Sequence, residues 1–179
     1  MQHFSRVLLV GFMGAGKTRV GRELARRLGW RFFDFDDVIE AEFGLPIYKI
    51  FADHGERRFR EVEKRVAERL LAEREVVLAS GGGWAVGVGH LEGVAEETAT
   101  IWLQVSAEEA VRRTATCLKR RPLLPRDTSV DVVRALLEER TPFYAAAEHR
   151  VDTERLSVED VSAWILDILA SNDLETKAE

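Results

Sequence analysis

The sequence predicts an α/β domain, a parallel sheet with helices on both faces. Short apolar runs alternate with amphipathic helical patterns along nearly the whole chain, the arrangement that βα units produce. The first of the intervening turns has the composition of a phosphate-binding loop and stands between a strand pattern and a helix pattern.

Val7-Leu8-Leu9-Val10 is a short unbroken apolar run, as expected of a strand buried on both faces. Gly11-Phe12-Met13-Gly14-Ala15-Gly16-Lys17-Thr18 follows and fits G-x-x-x-x-G-K-[ST]. Val20, Leu24 and Leu28 then recur every four residues among Arg22, Glu23, Arg26 and Arg27, which predicts an amphipathic helix. The glycines let backbone N–H groups converge on phosphate oxygens, and the helix N-terminus adds its positive dipole end. Gly14, Ala15 and Gly16 form the cradle, Lys17 is placed to reach the β/γ-phosphates, and the Thr18 hydroxyl suits Mg²⁺. A nucleoside triphosphate is the expected ligand.

Arg31-Phe32-Phe33 predicts a second short strand, running into Asp34-Phe35-Asp36-Asp37. Helical patterns continue to about Arg74, with breaks at Gly44-Leu45-Pro46 and near His54-Gly55; Phe59, Val62, Val66 and Leu70 form the last apolar stripe. Val76-Val77-Leu78-Ala79 is a third strand, ending at Ser80-Gly81-Gly82-Gly83, and Ile101 to Val105 a fourth. Ser106 and Glu109 have capping-box spacing and open a helix to about Cys117. A polar segment with two prolines covers Leu118 to Ser129. A helix from Val130 to Arg140, a strand at His149-Arg150-Val151 and a helix opened by Ser157-Val158-Glu159-Asp160 follow. Residues 171–179 are polar and expected to fray.

Composition narrows the function. A chain of 179 residues with 46% hydrophobic and 32% charged content suits one folded domain rather than disorder. A net charge of −5 disfavours bulk nucleic-acid binding. All but five of the 26 basic residues are arginines, the better fork for carboxylates and phosphates. Cys117 is the single cysteine, so no intramolecular disulfide forms and a reducing, cytoplasmic setting is expected. No apolar run approaches the ~20 residues of a membrane span. Arg6 followed by Val7 to Met13 superficially resembles a signal peptide but continues into Gly16-Lys17-Thr18 instead of a cleavage site. Small molecules are the expected partners, with neither nucleic acid nor membrane, and a monomer is expected.

Ligands of such folds bind at the carboxyl ends of the strands. Asp34 and Asp36, read as alternate residues of an extended stretch, face one site, where one carboxylate serves the metal's water shell and the other a substrate hydroxyl. A solvated acidic turn is the plainer alternative. Gly81-Gly82-Gly83 permits close approach to a ligand and equally suits a flexible loop; Ser80, at the strand tip, is placed to join the magnesium water network. Arg60 stands one turn before Glu63, which is placed to orient it, and Arg140 precedes Thr141-Pro142, where a proline is expected to stop the helix. Taken singly, both arginines suit surface ion pairs. Lys119 to Pro125 is basic and stiffened by prolines, either a lid that brings an arginine to the γ-phosphate or a linker.

Together these motifs resemble the shikimate kinase family. The resemblance runs from the first strand to about Thr153. It rests on Gly11 to Thr18, Asp34-Phe35-Asp36, Phe59-Arg60-Glu61-Val62-Glu63, Gly81-Gly82-Gly83, Arg121-Pro122-Leu123-Leu124 and Glu139-Arg140-Thr141-Pro142-Phe143-Tyr144, in that order. It implies a three-layer P-loop kinase fold with a five-stranded parallel sheet of order 2-3-1-4-5. A single domain over 1–170 would carry an acceptor-binding region at about 34–63 and a mobile lid at about 118–129. It implies transfer of the ATP γ-phosphoryl group to the 3-hydroxyl of shikimate. In that reading Lys17, Thr18 and Asp34 serve ATP and Mg²⁺, with Asp34 acting through water. Asp36 contacts the reacting hydroxyl, Arg60 and Arg140 hold the shikimate carboxylate, and Gly81, Gly82 and Gly83 border the pocket. Arg121 swings in with the lid, and Arg113 resembles the position against adenine.

Three features depart from the family pattern. Trp84 stands where a small residue usually follows the triple glycine, Phe35 replaces a small polar residue between the aspartates, and the stretch between Thr114 and Arg121 is slightly long. Trp84 either packs against a neighbouring helix or walls the acceptor pocket. A P-loop kinase for another small hydroxy acid or polyol, such as gluconate, is the second reading. A nucleotide-dependent binding protein is the third, against which Lys17, Asp36 and Arg121 together argue, since a binder has no use for a hydroxyl-activating carboxylate.

Overall fold

The computed structural model describes residues 4–86, 90–115 and 128–175. Cys117, Arg121 and nearly all of the expected lid lie outside the described residues. Five strands, β1 (Arg6–Val10), β2 (Arg31–Asp34), β3 (Val76–Ala79), β4 (Thr98–Gln104) and β5 (His149–Asp152), form one sheet in the order β2-β3-β1-β4-β5. Every adjacent pair is parallel. The helices that flank the sheet are α1 (Lys17–Leu28), α2 (Phe35–Phe43), α3 (Ile47–Leu71), α4 (Ala107–Ala115), α5 (Val130–Tyr144) and α6 (Val158–Glu175).

β1 is central, and Val7, Leu8, Leu9 and Val10 are completely buried, as is all of β3. Each such aliphatic side chain contributes about 1.5–3 kcal/mol by burial, so β1 and β3 are anchored firmly in the core. Asp34 pairs with Ala79 and Leu9 with Ala79 in register, so the turns after β1, β2 and β3 leave the sheet at one edge. Buried Arg6 ties the opposite edge together, donating to Thr98 Oγ1 at 2.8 Å and to the Glu73 carbonyl at 3.1 Å.

Local signals act largely as the patterns suggest. Gly29 and Gly44 take left-handed conformations that end α1 and α2. Gly55, at φ 75° and ψ 165°, breaks the helical path of α3 close to the break expected there. Ser157 and Asp160 cap α6 reciprocally, Ser157 N–H donating to Asp160 Oδ2 at 3.2 Å and Asp160 N–H to Ser157 Oγ at 3.1 Å. α6 itself continues to Glu175, into the segment read as a tail.

Three expectations need correction. The capping box before α4 is only half formed: Glu109 N–H donates to Ser106 Oγ at 3.3 Å, but Glu154 Oε1 accepts from Ser106 N–H at 2.7 Å. Glu109 instead binds Arg112 and Arg113, which hold its carboxyl down at about 2. Pro142 does not stop α5, which runs on to Tyr144. The proline costs α5 one N–H donor, and the helix ends two residues later; the Thr141 hydroxyl donates to Leu137 O at 2.8 Å. Finally, Asp36 is not on an extended stretch. β2 ends at Asp34, which caps α2 and accepts Asp36 N–H at 3.0 Å, so Asp36 belongs to a helical first turn.

Candidate active site

The phosphate loop follows β1 and enters α1 through Gly14 and Gly16, at φ 84° and 93°. A side chain at either position would be strained, and Gly16 is itself the residue that caps α1. Lys17 is nearly buried and donates to the carbonyls of Gly11 at 2.7 Å and Phe12 at 3.0 Å, so its ammonium is folded over its own loop. Thr18 Oγ1 donates to Asp34 Oδ2 at 2.6 Å. That bond joins the start of α1 to the end of β2 and brings a hydroxyl and a carboxylate together.

These two oxygens fit a magnesium ion, which prefers oxygen donors and keeps part of its water shell. No group of three or more His, Cys, Asp or Glu able to hold a metal exists among the described residues. Ser80 Oγ, buried at the tip of β3, has no hydrogen-bond partner among the described residues. An orphaned buried hydroxyl is costly unless a ligand or water satisfies it.

The second focus is the glycine turn after β3. A Cβ on Gly81 would stand 2.7 Å from Glu63 Oε1 and 2.9 Å from Asp36 Oδ1. One on Gly83 would stand 2.9 Å from Arg60 Nη1. Gly82 O accepts from Tyr144 Oη at 2.6 Å and from Arg140 Nη1 at 3.2 Å. The turn therefore gathers Asp36 from α2, Arg60 and Glu63 from α3, and Arg140 and Tyr144 from α5. A Cβ at 81 or 83 would meet the side-chain ends of Glu63, Asp36 and Arg60, which would have to shift to admit it.

The two arginines differ in setting. Arg60 is partly exposed, donates to Glu63 Oε2 at 2.6 Å and Glu56 Oε1 at 3.2 Å, and lies 5.3 Å from the Phe59 ring centroid. Burial lowers its pKa, but Glu63 and Glu56 outweigh that and raise it. Burial raises the pKa of Glu63 more than Arg60 lowers it. Arg140 is buried and lies 5.7 Å from the ring centroid of Phe12, itself in the phosphate loop. The surface ion-pair alternative thus fails for Arg140 and holds only in part for Arg60.

Arg113 lies beside the phosphate loop. From α4 it donates to Gly14 O at 3.2 Å and to the carbonyl of Thr153, just past β5, at 2.8 Å, while Glu109 Oε1 accepts from its Nε at 2.6 Å. Trp84 is 6% exposed and packs edge-to-face on Phe35, with centroids 5.6 Å apart. The indole therefore packs into the core, against the first residue of α2. Tyr144 received no role from sequence, although it lies four residues after Arg140 on one helix face; expecting the helix to end at Pro142 hid that spacing. Burial raises its pKa, keeping the phenol a donor toward Gly82 O.

A model of the shikimate kinase family matches residues 13–170. The chain belongs to the shikimate kinase family. The shikimate kinase of Moorella thermoacetica is 45% identical over 152 residues, covering 83% of this chain and 84% of that protein. That of Mycobacterium avium is 42% identical over 169 residues, covering 94% and 95%. The structure of shikimate kinase from Acinetobacter baumannii in complex with shikimate superposes with a TM-score of 0.88 at 36% identity, covering 97% of each chain. A gluconokinase from Sinorhizobium meliloti, at a TM-score of 0.63 and 18% identity, shares the fold alone. As a shikimate kinase family member, the protein is an ATP-dependent phosphotransferase. No helix of the described residues is long and apolar enough to cross a membrane.

Proposed function

We propose that this protein transfers the ATP γ-phosphoryl group to the 3-hydroxyl of shikimate, giving shikimate 3-phosphate and ADP. The observation that carries the reading is the glycine turn 81–83, where one aspartate and two arginines from three different helices converge beside the phosphate loop. A small carboxylate bearing neighbouring hydroxyls matches that set: guanidinium forks for the carboxylate and a carboxylate for the reacting hydroxyl.

Phosphoryl transfer requires alignment and charge neutralisation more than covalent participation. Lys17, released from Gly11 O and Phe12 O when phosphate oxygens arrive, neutralises the β/γ-phosphates. Gly14, Ala15 and Gly16 present backbone N–H groups to them. Thr18 directly, and Asp34 through water, would hold Mg²⁺, with Ser80 in its water network. When bound, the ion screens the charge shared between the β- and γ-phosphates. Asp36 orients the 3-hydroxyl and accepts its proton as the new O–P bond forms. Arg60 and Arg140 bind the acceptor carboxylate, and Glu63 and Gly82 O hold those guanidinium groups in place. Arg113 flanks the adenine side. Arg121, in the sequence motif shared with the family, adds positive charge at the transferring group. The protein is expected to work as a cytoplasmic monomer.

Coupled ADP-release assays with ATP and Mg²⁺ test the reading, with shikimate, quinate and gluconate as acceptors. Shikimate is expected to be preferred. A higher kcat/KM for gluconate or quinate would overturn the assignment.

A further inference from the structure

Trp84 and Phe35 lie at the two turns that border the proposed acceptor site. Trp84 directly follows Gly83, and Phe35 separates Asp34 from Asp36. The β2–β3 ladder ends with Asp34 opposite Ala79, so both rings lie beyond the last paired residues of their strands. There they meet edge-to-face, centroids 5.6 Å apart at 89°, with Phe35 fully buried. The His90 ring centroid stands 5.3 Å from that of the indole, and its Nδ1–H donates to Trp84 O at 2.5 Å. A carbonyl only accepts, so the proton sits on Nδ1. The indole is thus held by ring contacts, and the Trp84 backbone carbonyl is tied to His90.

From these contacts we infer that Trp84 and Phe35 act as one positioning unit for the acceptor. The edge-to-face pair sets how closely the glycine turn approaches the aspartate turn. The turn lies close to these side chains: an ideal Cβ built on Gly81 or Gly83 would fall 2.7 to 3.0 Å from Glu63 Oε1, Asp36 Oδ1 or the Arg60 guanidinium. A shift of the turn by a fraction of an ångström therefore changes the acceptor contacts. The phosphate loop is carried by β1 and α1, and it meets the glycine turn at Gly82, where an ideal Cβ would stand 3.6 Å from Met13 N. The inference rests on the acceptor site proposed above.

Steady-state kinetics of Trp84→Ala, Phe35→Ala, the double variant and Trp84→Phe test it, each assayed where thermal melts show it folded. Either alanine variant is expected to raise the KM for shikimate about tenfold or more, with the KM for ATP within about twofold of wild type. The double variant is expected to lie within about threefold of the worse single one, because the second loss removes a contact already gone. Trp84→Phe, which keeps an aromatic edge, is expected to restore most of the loss. If the alanine variants do not fold, Trp84→Leu and Phe35→Leu keep bulk without the ring edge and are expected to show the same split. Parallel rises in both KM values, multiplicative losses in the double variant, or unchanged shikimate kinetics in folded variants would overturn the inference. Wild-type protein inactive on shikimate would remove the underlying functional reading as well, a result distinct from normal variants of an active enzyme.

Discussion

Adding one methyl group at Gly81 interrogates the acceptor site directly. The Cβ of Gly81→Ala would stand 2.7 Å from Glu63 Oε1 and 2.9 Å from Asp36 Oδ1. Reaching ordinary contact at 3.4 Å requires those oxygens to retreat by about 0.7 and 0.5 Å. Both are side-chain ends, and Gly81 does not have positive φ, so the backbone accepts alanine without strain. Alanine also restricts the unfolded chain, which offsets part of the crowding, so the melting temperature is expected to move by no more than about 3 °C. Catalysis is less forgiving. Misplacing a positioned group by about 1 Å costs on the order of a hundredfold, so a displacement of about half to two-thirds of that should lower kcat/KM for shikimate roughly ten- to thirtyfold, or about 1.4–2 kcal/mol of barrier. The measurement is coupled ADP release at saturating ATP with shikimate varied, alongside the dissociation constant of ATP by calorimetry, expected to be unchanged. A folded Gly81→Ala protein with wild-type kcat/KM, or one that loses ATP affinity in proportion, would refute the placement of Asp36 and Glu63 around this turn.

Three further outcomes follow from the same geometry. Lys17→Ala should lower kcat/KM by at least about a hundredfold with the fold retained in circular dichroism, since one preorganised charge at a developing anion is worth that much. Arg60→Ala and Arg140→Ala should chiefly raise the KM for shikimate, about tenfold or more, whereas Asp36→Asn should chiefly lower kcat; a shikimate analogue without its carboxylate that binds wild type as tightly as shikimate would sink the clamp. Burial raises the Glu63 pKa, so this group's contribution favours the folded state fully below the ordinary carboxylate pKa and is lost as pH rises through the raised value. The melting temperature of wild type minus that of Glu63→Gln should therefore fall as pH rises from about 4 to 7, and a constant or growing difference in thermal melts would contradict the burial argument.

The parts of the site legible in the sequence are those written in contiguous residues. Gly11 to Thr18 needs only a strand before it and a helix after it, and both are visible as apolar patterns a few residues away. The glycine turn is likewise visible as a composition, but its reason is not. Nothing local to Gly81-Gly82-Gly83 states that carboxylate oxygens of Glu63 and Asp36 fill the space of one missing side chain, or that Tyr144 and Arg140 share one of its carbonyls. Propensity rules also misjudge single positions. Pro142 reads as a helix stop, yet in the last turn it removes only one donor, and the helix continues far enough to deliver Tyr144. Asp34-Phe35-Asp36 reads as alternation on a strand, yet Asp34 acts as a cap, and capping competes with extension wherever an Asp precedes a helical run.

What assembles the site is the order of the strands, a property no local pattern carries. Because β3 lies between β2 and β1, the turn after it is flanked on one side by the Asp34–Asp36 corner and on the other by the phosphate loop. A sheet in simple sequence order would place β2 beside β1 and send the glycine turn to the outside of the aspartates, away from Lys17. Right-handed parallel crossovers make the observed order reachable: the chain leaves β1, crosses to the edge as β2, and returns through α2 and α3 to insert β3 between them. That return path also explains why Arg60 and Glu63 sit in the middle of a long helix and still reach the site, since α3 must span the sheet to bring β3 home. The Gly55 break divides this helix before Phe59, and the buried stripe Phe59, Val62, Val66 and Leu70 fixes the second part to the core. Arg60 is thus held on a helix anchored by its neighbours' burial, so in the proposed reaction an acceptor carboxylate would meet a guanidinium whose position is already set.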